Sequence, residues 1–286
     1  MSQPRLLLCP PTHFGVEYII NPWMAGQVGR ADVARAHAQW AALRERLASC
    51  AVVETVAPGA GLPDMPFTAN AGLVHGDRFV PSRFRHAERR GEEALFSAWF
   101  AARGYAVRPL PDGLAFEGAG DALFDRAAER LWFGHGHRSD LAAAAALEAL
   151  TGVETVPLRL TDPRYYHLDT CLCPLRDGWL LYYPDAFDAA GRATIEARVD
   201  ADRRIAVSAE QAAAFACNAV DLGDRLVVHR ADADLAGRLA VAGYAVVETP
   251  LDEFIKAGGS AKCLTLRLDE PPAAQRRAAV PSERAA

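Results

Sequence analysis

The chain has 286 residues, long enough to bury a large core, and 51% of them are apolar. Its formal charge of −5 excludes the broad basic surface that nucleic acid or an anionic membrane would require as a partner. No apolar run is long enough to span a bilayer, the N-terminal run is too short for a secretory signal, and six cysteines in a chain of this size read as free thiols, so a soluble cytoplasmic protein is expected.

In chain order, residues 4–268 repeat one unit five times. Gly76-Asp77-Arg78-Phe79-Val80 and Gly223-Asp224-Arg225-Leu226-Val227 are two copies of one wording. Gly104-Tyr105-Ala106-Val107 and Gly243-Tyr244-Ala245-Val246 are two copies of another. Repetition on this scale marks a supersecondary unit that has been arrayed. Each unit reads as strand, helix, strand. In the first, Leu6 to Cys9 is a buried strand, residues 31–48 a helix with Val33, Trp40, Leu43 and Leu47 on one face, and residues 51–57 the returning strand. The second runs from a strand at 78–80 through a helix at 91–103, with Leu95 and Trp99 four apart, to a strand at 105–110, and Gly104 fits a left-handed C-cap. The third pairs residues 130–133 with 153–160 across an Ala-rich helix from Asp140, with Ser139 as N-cap and Gly152 as stop. The fourth runs from 179–183 through a weaker helix to 204–208, and the fifth from 226–228 through a helix near Leu235 and Leu239 to 245–248. A last strand, Lys262 to Leu268, has no helix after it. It is expected to pair with the N-terminal unit and close a ring with no open sheet edge. Residues 4–268 contain no linker, so one domain is expected there. The polar stretch 269–286 reads as a disordered tail.

A ring of units aims its loops at one centre, and the five loops differ. Cys263 follows a Gly258-Gly259-Ser260 turn and neighbours Lys262, a setting in which backbone N–H groups and a cation favour a thiolate. An inert buried cysteine is the competing reading. A histidine and acids in sister loops shift the balance toward a nucleophile, because Cys, His and carboxylates together form a recurrent covalent-catalysis set. His167, among Tyr165, Tyr166 and Asp169, suits general acid–base work. His13, His75, His86, His135 and His137 read as structural or surface residues. Cys171 and Cys173 lack a second pair at metal spacing, so neither a metal nor another cofactor is implied, and they read as alternating faces of a strand. Glu117 and Asp64 turned inward call for a planar cation, with solvated loop acids as the alternative. Asn70, before Ala71-Gly72, and Asn21, before Pro22, each also suit a turn. Arg85, Arg89 and Arg138 are candidates to clamp a substrate carboxylate, or members of a solvated charged face.

Four segments carry a resemblance. They are Phe116-Glu117-Gly118-Ala119-Gly120-Asp121, the Gly-His-Gly-His-Arg-Ser-Asp run from Gly134 to Asp140, His167-Leu168-Asp169-Thr170-Cys171, and Cys263-Leu264-Thr265-Leu266. Over residues 5–268 the chain resembles the guanidino-group-modifying superfamily. These "pentein" enzymes include arginine deiminases, dimethylarginine dimethylaminohydrolases, amidinotransferases and arginine dihydrolases. The resemblance implies an α/β fold, a five-bladed α/β propeller with pseudo-fivefold symmetry and a central active site. It implies Cys263 as nucleophile, His167 as acid and base, Glu117 as a guanidinium ligand and Arg138 as a contact to the amino-acid carboxylate. Asp64, Asn70, Asn21, Arg89, Arg85, Asp121 and Asp169 complete the expected substrate-binding set.

Asn70 stands about where deiminases and dimethylarginine hydrolases carry an Asp. With Asn21 in Ile20-Asn21-Pro22-Trp23-Met24, it makes the chain look like the arginine dihydrolases. A carboxylate accepts from guanidinium N–H groups but repels the oxygen of a urea product, whereas an amide accepts from one and donates to the other. The expected reaction is two successive hydrolyses of L-arginine through a Cys-thiouronium adduct, giving ornithine, CO2 and two ammonia. Single-step deimination, dimethylarginine hydrolysis and amidino transfer are the alternatives. A non-catalytic, ribosome-binding propeller is expected to lack the Cys, His and Glu. A small guanidino compound is thus the expected partner, and homo-oligomerisation is left open.

Overall fold

The computed structural model describes residues 3–270. The first unit comprises β1 (Arg5–Leu8), α1 (Val33–Ala48) and β2 (Val52–Thr55). The second comprises β3 (Gly72–His75), β4 (Arg78–Pro81), α2 (Gly91–Ala101) and β5 (Ala106–Val107). The third has β6 (Ala122–Phe124), β7 (Arg130–His135), α3 (Ala143–Thr151) and β8 (Glu154–Arg159). The fourth has β9 (Leu172–Pro174), β10 (Leu180–Tyr182), α4 (Ala189–Arg198) and β11 (Arg204–Ala206), followed by α5 (Ala209–Ala213). The fifth has β12 (Val220–Asp221), β13 (Arg225–Val228), α6 (Ala233–Val241) and β14 (Ala245–Glu248), followed by α7 (Asp252–Ile255). The last strand is β15 (Leu266–Arg267).

Among the described residues these strands form five three-stranded sheets, ordered β15-β1-β2, β3-β4-β5, β6-β7-β8, β9-β10-β11 and β12-β13-β14. In every sheet the first strand is antiparallel to the second, and the second is parallel to the third. Parallel neighbours need a crossover, and the helix of each unit supplies it. Each sheet and its helix bury a shared apolar layer: Phe79 against Phe96 and Phe100, Leu131 and Phe133 with Leu147, and Leu226 and Val228 with Leu235 and Leu239. The repeated wording marks the same backbone event twice, since Gly104 (φ 82°) and Gly243 (φ 84°) both turn left-handed between helix and strand.

Several expectations need correction. The second to fifth units also have an antiparallel strand ahead of the strand–helix–strand core, and two to four residues of pattern cannot signal it. β15 does pair with β1, Leu6 opposite Arg267, but it completes the first sheet only. The five sheets stay separate and each keeps its edges. Val33 and Leu95 are 45% and 41% exposed; the buried face of α2 is Glu92, Phe96, Trp99 and Phe100. α3 starts only at Ala143, capped by Ala142 without a side-chain bond, so Ser139 is not its N-cap. Ser208 is not strand either: its side chain accepts from the Gln211 N–H in a capping box that turns the chain into α5. Cys171 precedes β9 and only Cys173 lies on it; both are buried. Asp269 accepts from Arg267 Nε at 3.1 Å and Glu270 pairs with Arg126 at 2.5 Å. Residues 271–286 lie outside the described residues. Among the described residues, no helix is long and apolar enough to cross a membrane.

Candidate active site

Just ahead of the first strand of each sheet the chain makes a tight turn, and every turn brings a polar side chain. Three are 3-10 turns, at Thr68–Ala71, Gly118–Gly120 and Leu168–Thr170; the others carry Asn218 and Cys263. The turns join in a closed circuit. Asn70 Nδ2 donates to the Glu117 carbonyl (3.4 Å), and the Leu168 N–H donates to Asp121 Oδ1 (3.1 Å). Asn218 Nδ2 donates to the Asp169 carbonyl (3.0 Å), and its Oδ1 accepts from the Cys263 N–H (3.1 Å). The Ala69 N–H donates to the Cys263 carbonyl (3.0 Å) and completes the round.

Glycine spacing in the second turn is steric. Gly118 holds φ 64°, and a Cβ there would press on the backbone of Gly72 and Ala69. At Gly120 a Cβ would overlap the Asn70 amide and approach His167 Cγ at 3.3 Å. The Glu117-Gly118-Ala119-Gly120 motif therefore lets three turns meet.

Glu117, fully buried, is the hub of a buried hydrogen-bonded group with His167 and Arg138. Its Oε2 lies 2.7 Å from His167 Nε2 and accepts from Arg138 Nη1 at 2.9 Å, while Oε1 accepts from the Arg85 N–H at 3.2 Å. Burial pushes the Glu117 carboxyl up, but Arg138, His167 and Arg89 more than offset it and hold it well below the usual carboxylate range. Burial likewise lowers His167 to about 4, the Glu117 contact offsetting only part of the shift. Against an ionised Glu117, neutral His167 must carry its proton on Nε2, which leaves Nδ1 with the lone pair. Asp121 lies behind this pair: its Oδ2 accepts from Ser139 Oγ at 2.6 Å, and Ser139 Oγ accepts from the Glu117 N–H at 3.0 Å.

A small pocket is lined by Asn21, Asp64, Asn70, Arg89, Arg138 and Cys263, together with Ile20, Met24, Phe67, Tyr166 and Ala257. Asp64 Oδ2 accepts from Tyr18 at 2.9 Å, whereas its Oδ1 is buried with no partner. Arg89 is held in a bidentate pair by Glu92, at 2.8 Å on both bonds, and donates from Nη1 to Asn70 Oδ1 at 2.8 Å. Arginine has only donors, so it fixes the Asn70 amide with oxygen toward Arg89 and Nδ2 away. Asn21 Oδ1 caps a 3-10 turn by accepting from Trp23 and Met24, and its Nδ2 donates to the Ala257 carbonyl. It is thus both the expected turn residue and a wall of the pocket. Cys263 is 2% exposed, and its Sγ has the Asp169 carboxylate oxygens at 3.5 and 3.6 Å and Asn218 Nδ2 at 3.0 Å. Burial, then Asp169, push its thiol pKa up; Ser260, Asn218 and Lys262 oppose them.

Three expected substrate ligands lie elsewhere. The Arg85 guanidinium pairs with Asp140 at 2.5 Å and donates to the Arg138 carbonyl at 2.9 Å, outside the pocket wall, because Asp140 is the nearer anion. Asp121 is engaged by Ser139 and Leu168, and Asp169 faces the sulfur; neither lines the pocket. Both oxygens of Glu117 are also occupied, and neither Glu117, the expected guanidinium ligand, nor His167 lines the pocket, which leaves Asp64 Oδ1 as its unpartnered carboxylate oxygen. Sequence reasoning missed Asn218, Tyr18, Glu92 and Ser139. For Asn218 a signal existed, since it occupies the fourth turn where sister turns hold Asn70, Glu117, His167 and Cys263. Among the described residues, no group of three or more His, Cys, Asp or Glu is placed to hold a metal ion.

A family model described as "N,N dimethylarginine dimethylhydrolase, eukaryotic" matches residues 24–269. The chain belongs to this family. The bifunctional arginine dihydrolase/ornithine cyclodeaminase ArgZ of Synechocystis sp. is 52% identical over 267 residues, 93% of this chain but 38% of that relative. This chain therefore spans well under half the length of that relative. The N(G),N(G)-dimethylarginine dimethylaminohydrolase of Mycobacterium tuberculosis is 40% identical over 268 residues, 92% of this chain and 85% of that one. A structure of the ArgZ N-terminal domain, a cysteine-to-serine mutant bound to substrate, matches with a TM-score of 0.93 at 51% identity, covering 94% of this chain and 99% of that one. A second structure of that domain, with an asparagine changed to serine, is covalently bonded to a reaction intermediate.

Proposed function

We propose that the chain hydrolyses the guanidino group of L-arginine twice, giving ornithine, CO2 and two ammonia. The observation that carries this reading is one pocket holding Cys263, the unpartnered Asp64 Oδ1 and an Asn70 amide fixed in orientation by Arg89. Asp64 Oδ1 accepts from the guanidinium and holds its central carbon against Cys263. The cation also favours the thiolate of a thiol that burial otherwise keeps protonated. Sulfur attacks the central carbon as the thiol proton passes to His167 Nδ1; a C–N bond breaks, and ammonia leaves with that proton. Water then gives its proton to His167, Nδ1 being the available nitrogen, and cleaves the C–S bond to leave the ureido product.

Single deimination would end there. Asn70 offers Nδ2–H to the ureido oxygen, and Asn21 has one N–H left after Ala257, so the intermediate is retained for a second attack. Sulfur attacks again and releases the second nitrogen as ammonia, water cleaves the new C–S bond, and the resulting carbamate loses CO2. ArgZ, an arginine dihydrolase, supports this reading. The Mycobacterium tuberculosis relative favours a second one, dimethylarginine hydrolysis to citrulline.

The scaffold we infer is a single domain over residues 4–268, a five-bladed α/β propeller with the site at its centre. Five like sheets and the closed circuit of turns support it. An assay of ammonia, citrulline and ornithine together tests the reaction. Two ammonia per ornithine with little free citrulline is the expected outcome; citrulline accumulating with one ammonia overturns double hydrolysis. Turnover of methylated arginine alone moves the assignment to the second reading.

A further inference from the structure

We infer that Asn218 is a catalytic residue of this site, the group that hydrogen-bonds the Cys263 sulfur and fixes the turn that presents it. This rests on the reading of Cys263 as nucleophile. Asn218 is fully buried in the turn between α5 and β12. Its Oδ1 accepts from the Ser260 and Cys263 N–H groups, each at 3.1 Å, and a backbone N–H can only donate. The oxygen end of the amide is therefore fixed, and Nδ2 must face the other way. There it meets Cys263 Sγ and the Asp169 carbonyl, each at 3.0 Å. All four hydrogen-bonding positions of the amide are filled, two on each end. The Asn218 carbonyl also accepts from the Lys262 N–H at 3.3 Å, so residues 260–263 hang on this one residue at three points.

An N–H aimed at sulfur is stronger when the sulfur is charged, so the contact favours thiolate over thiol. The other charged or titratable groups facing Sγ are Asp169, Lys262 and Tyr166. Asp169 works against the thiolate and Lys262 for it; the neutral groups that favour it are the Ser260 backbone and Asn218, and of these Asn218 reaches the sulfur from a side chain, at 3.0 Å.

The test follows alkylation of Cys263 against pH, read by peptide mass mapping so that the other five cysteines do not contribute. Asn218→Ala removes the donor. The apparent thiol pKa is expected to rise by about one unit or more, with about a tenfold slower reaction at neutral pH. Asn218→Asp keeps an acceptor for the two N–H groups but sets an ionisable group beside sulfur, so alkylation is expected to be slower still at alkaline pH. A purely structural Asn218 would lower the melting temperature and leave these profiles on the wild-type curve. Superimposable profiles in either variant that folds overturn the inference. In the wild-type protein, the Asn218 side-chain amide proton is expected to shift as Cys263 is titrated, and an unmoved resonance overturns it without a variant. Wild-type turnover of arginine is scored separately. No turnover with Asn218-dependent alkylation removes the substrate reading alone, and turnover with Asn218-independent alkylation removes this one alone.

Discussion

Asp64 and Asn70 set a carboxyl group and an amide dipole on one pocket wall. One Asp64 oxygen is anchored by Tyr18 and the other has no partner, an arrangement that suits the cationic guanidinium of the proposed reaction. Asn70 cannot choose its orientation, because Arg89 occupies its oxygen and Glu92 occupies Arg89. Replacing Asn70 by Asp exchanges a donor for an anion that repels a ureido oxygen. Asn70→Asp is accordingly expected to release citrulline with about one ammonia per arginine, read in the same product assay. Arg89 and Glu92 are both at most 3% exposed, so removing one leaves the other uncompensated. Glu92→Ala is expected to lower stability by about 3–5 kcal/mol, measured from the denaturant midpoint.

At the scale of the element, the turn ahead of each first strand carries a polar side chain of the candidate site and the sheet behind it supplies rigidity. The turn at Gly118–Gly120 is the tightest, touching the Asn70 and His167 turns together. Gly120→Ala is expected to cut turnover by about a hundredfold or more, because the new Cβ displaces the Asn70 amide by a few tenths of an ångström up to about 1 Å. Melting temperature should fall much less than activity does. Equal losses in both would mean that the turn had unfolded rather than shifted. Such turns are almost invisible to pattern reading. Strands of two or three residues have no period, and Ser139, which looks like a helix cap, is held instead between Glu117 and Asp121.

For the whole molecule, burying a neutral histidine links folding to pH. His167 falls from 6.5 to about 4, with burial as the main cause. A lowered pKa means that the unfolded chain binds more protons between these values, so this contribution is complete above pH 6.5 and is lost as pH falls toward 4. It amounts to roughly 2–4 kcal/mol. The wild-type protein is expected to lose stability relative to His167→Asn through that window, and to keep a constant difference above it; a pH-independent difference would contradict the assignment. The same burial that keeps His167 neutral pushes the Cys263 thiol pKa up.

From the sequence alone came the five units, since apolar runs and helical faces depend on neighbours a few residues away. The members of the pocket were legible for the same reason as far as residue type goes: Cys263, Asp64, Asn70, Asn21, Arg89 and Arg138 were all candidates and all line it. Their contacts were not legible. Whether Arg85 meets Asp140 or a substrate, whether Asp169 faces a pocket or a sulfur, and which oxygen of Asp64 stays open depend on ångström distances between turns about fifty residues apart. Asn218 was passed over because its importance lies in the atoms it touches, Ser260, Cys263 and Asp169, and not in its neighbours along the chain. Local pattern determined the units; only their packing around a common centre decided which polar atom answers which.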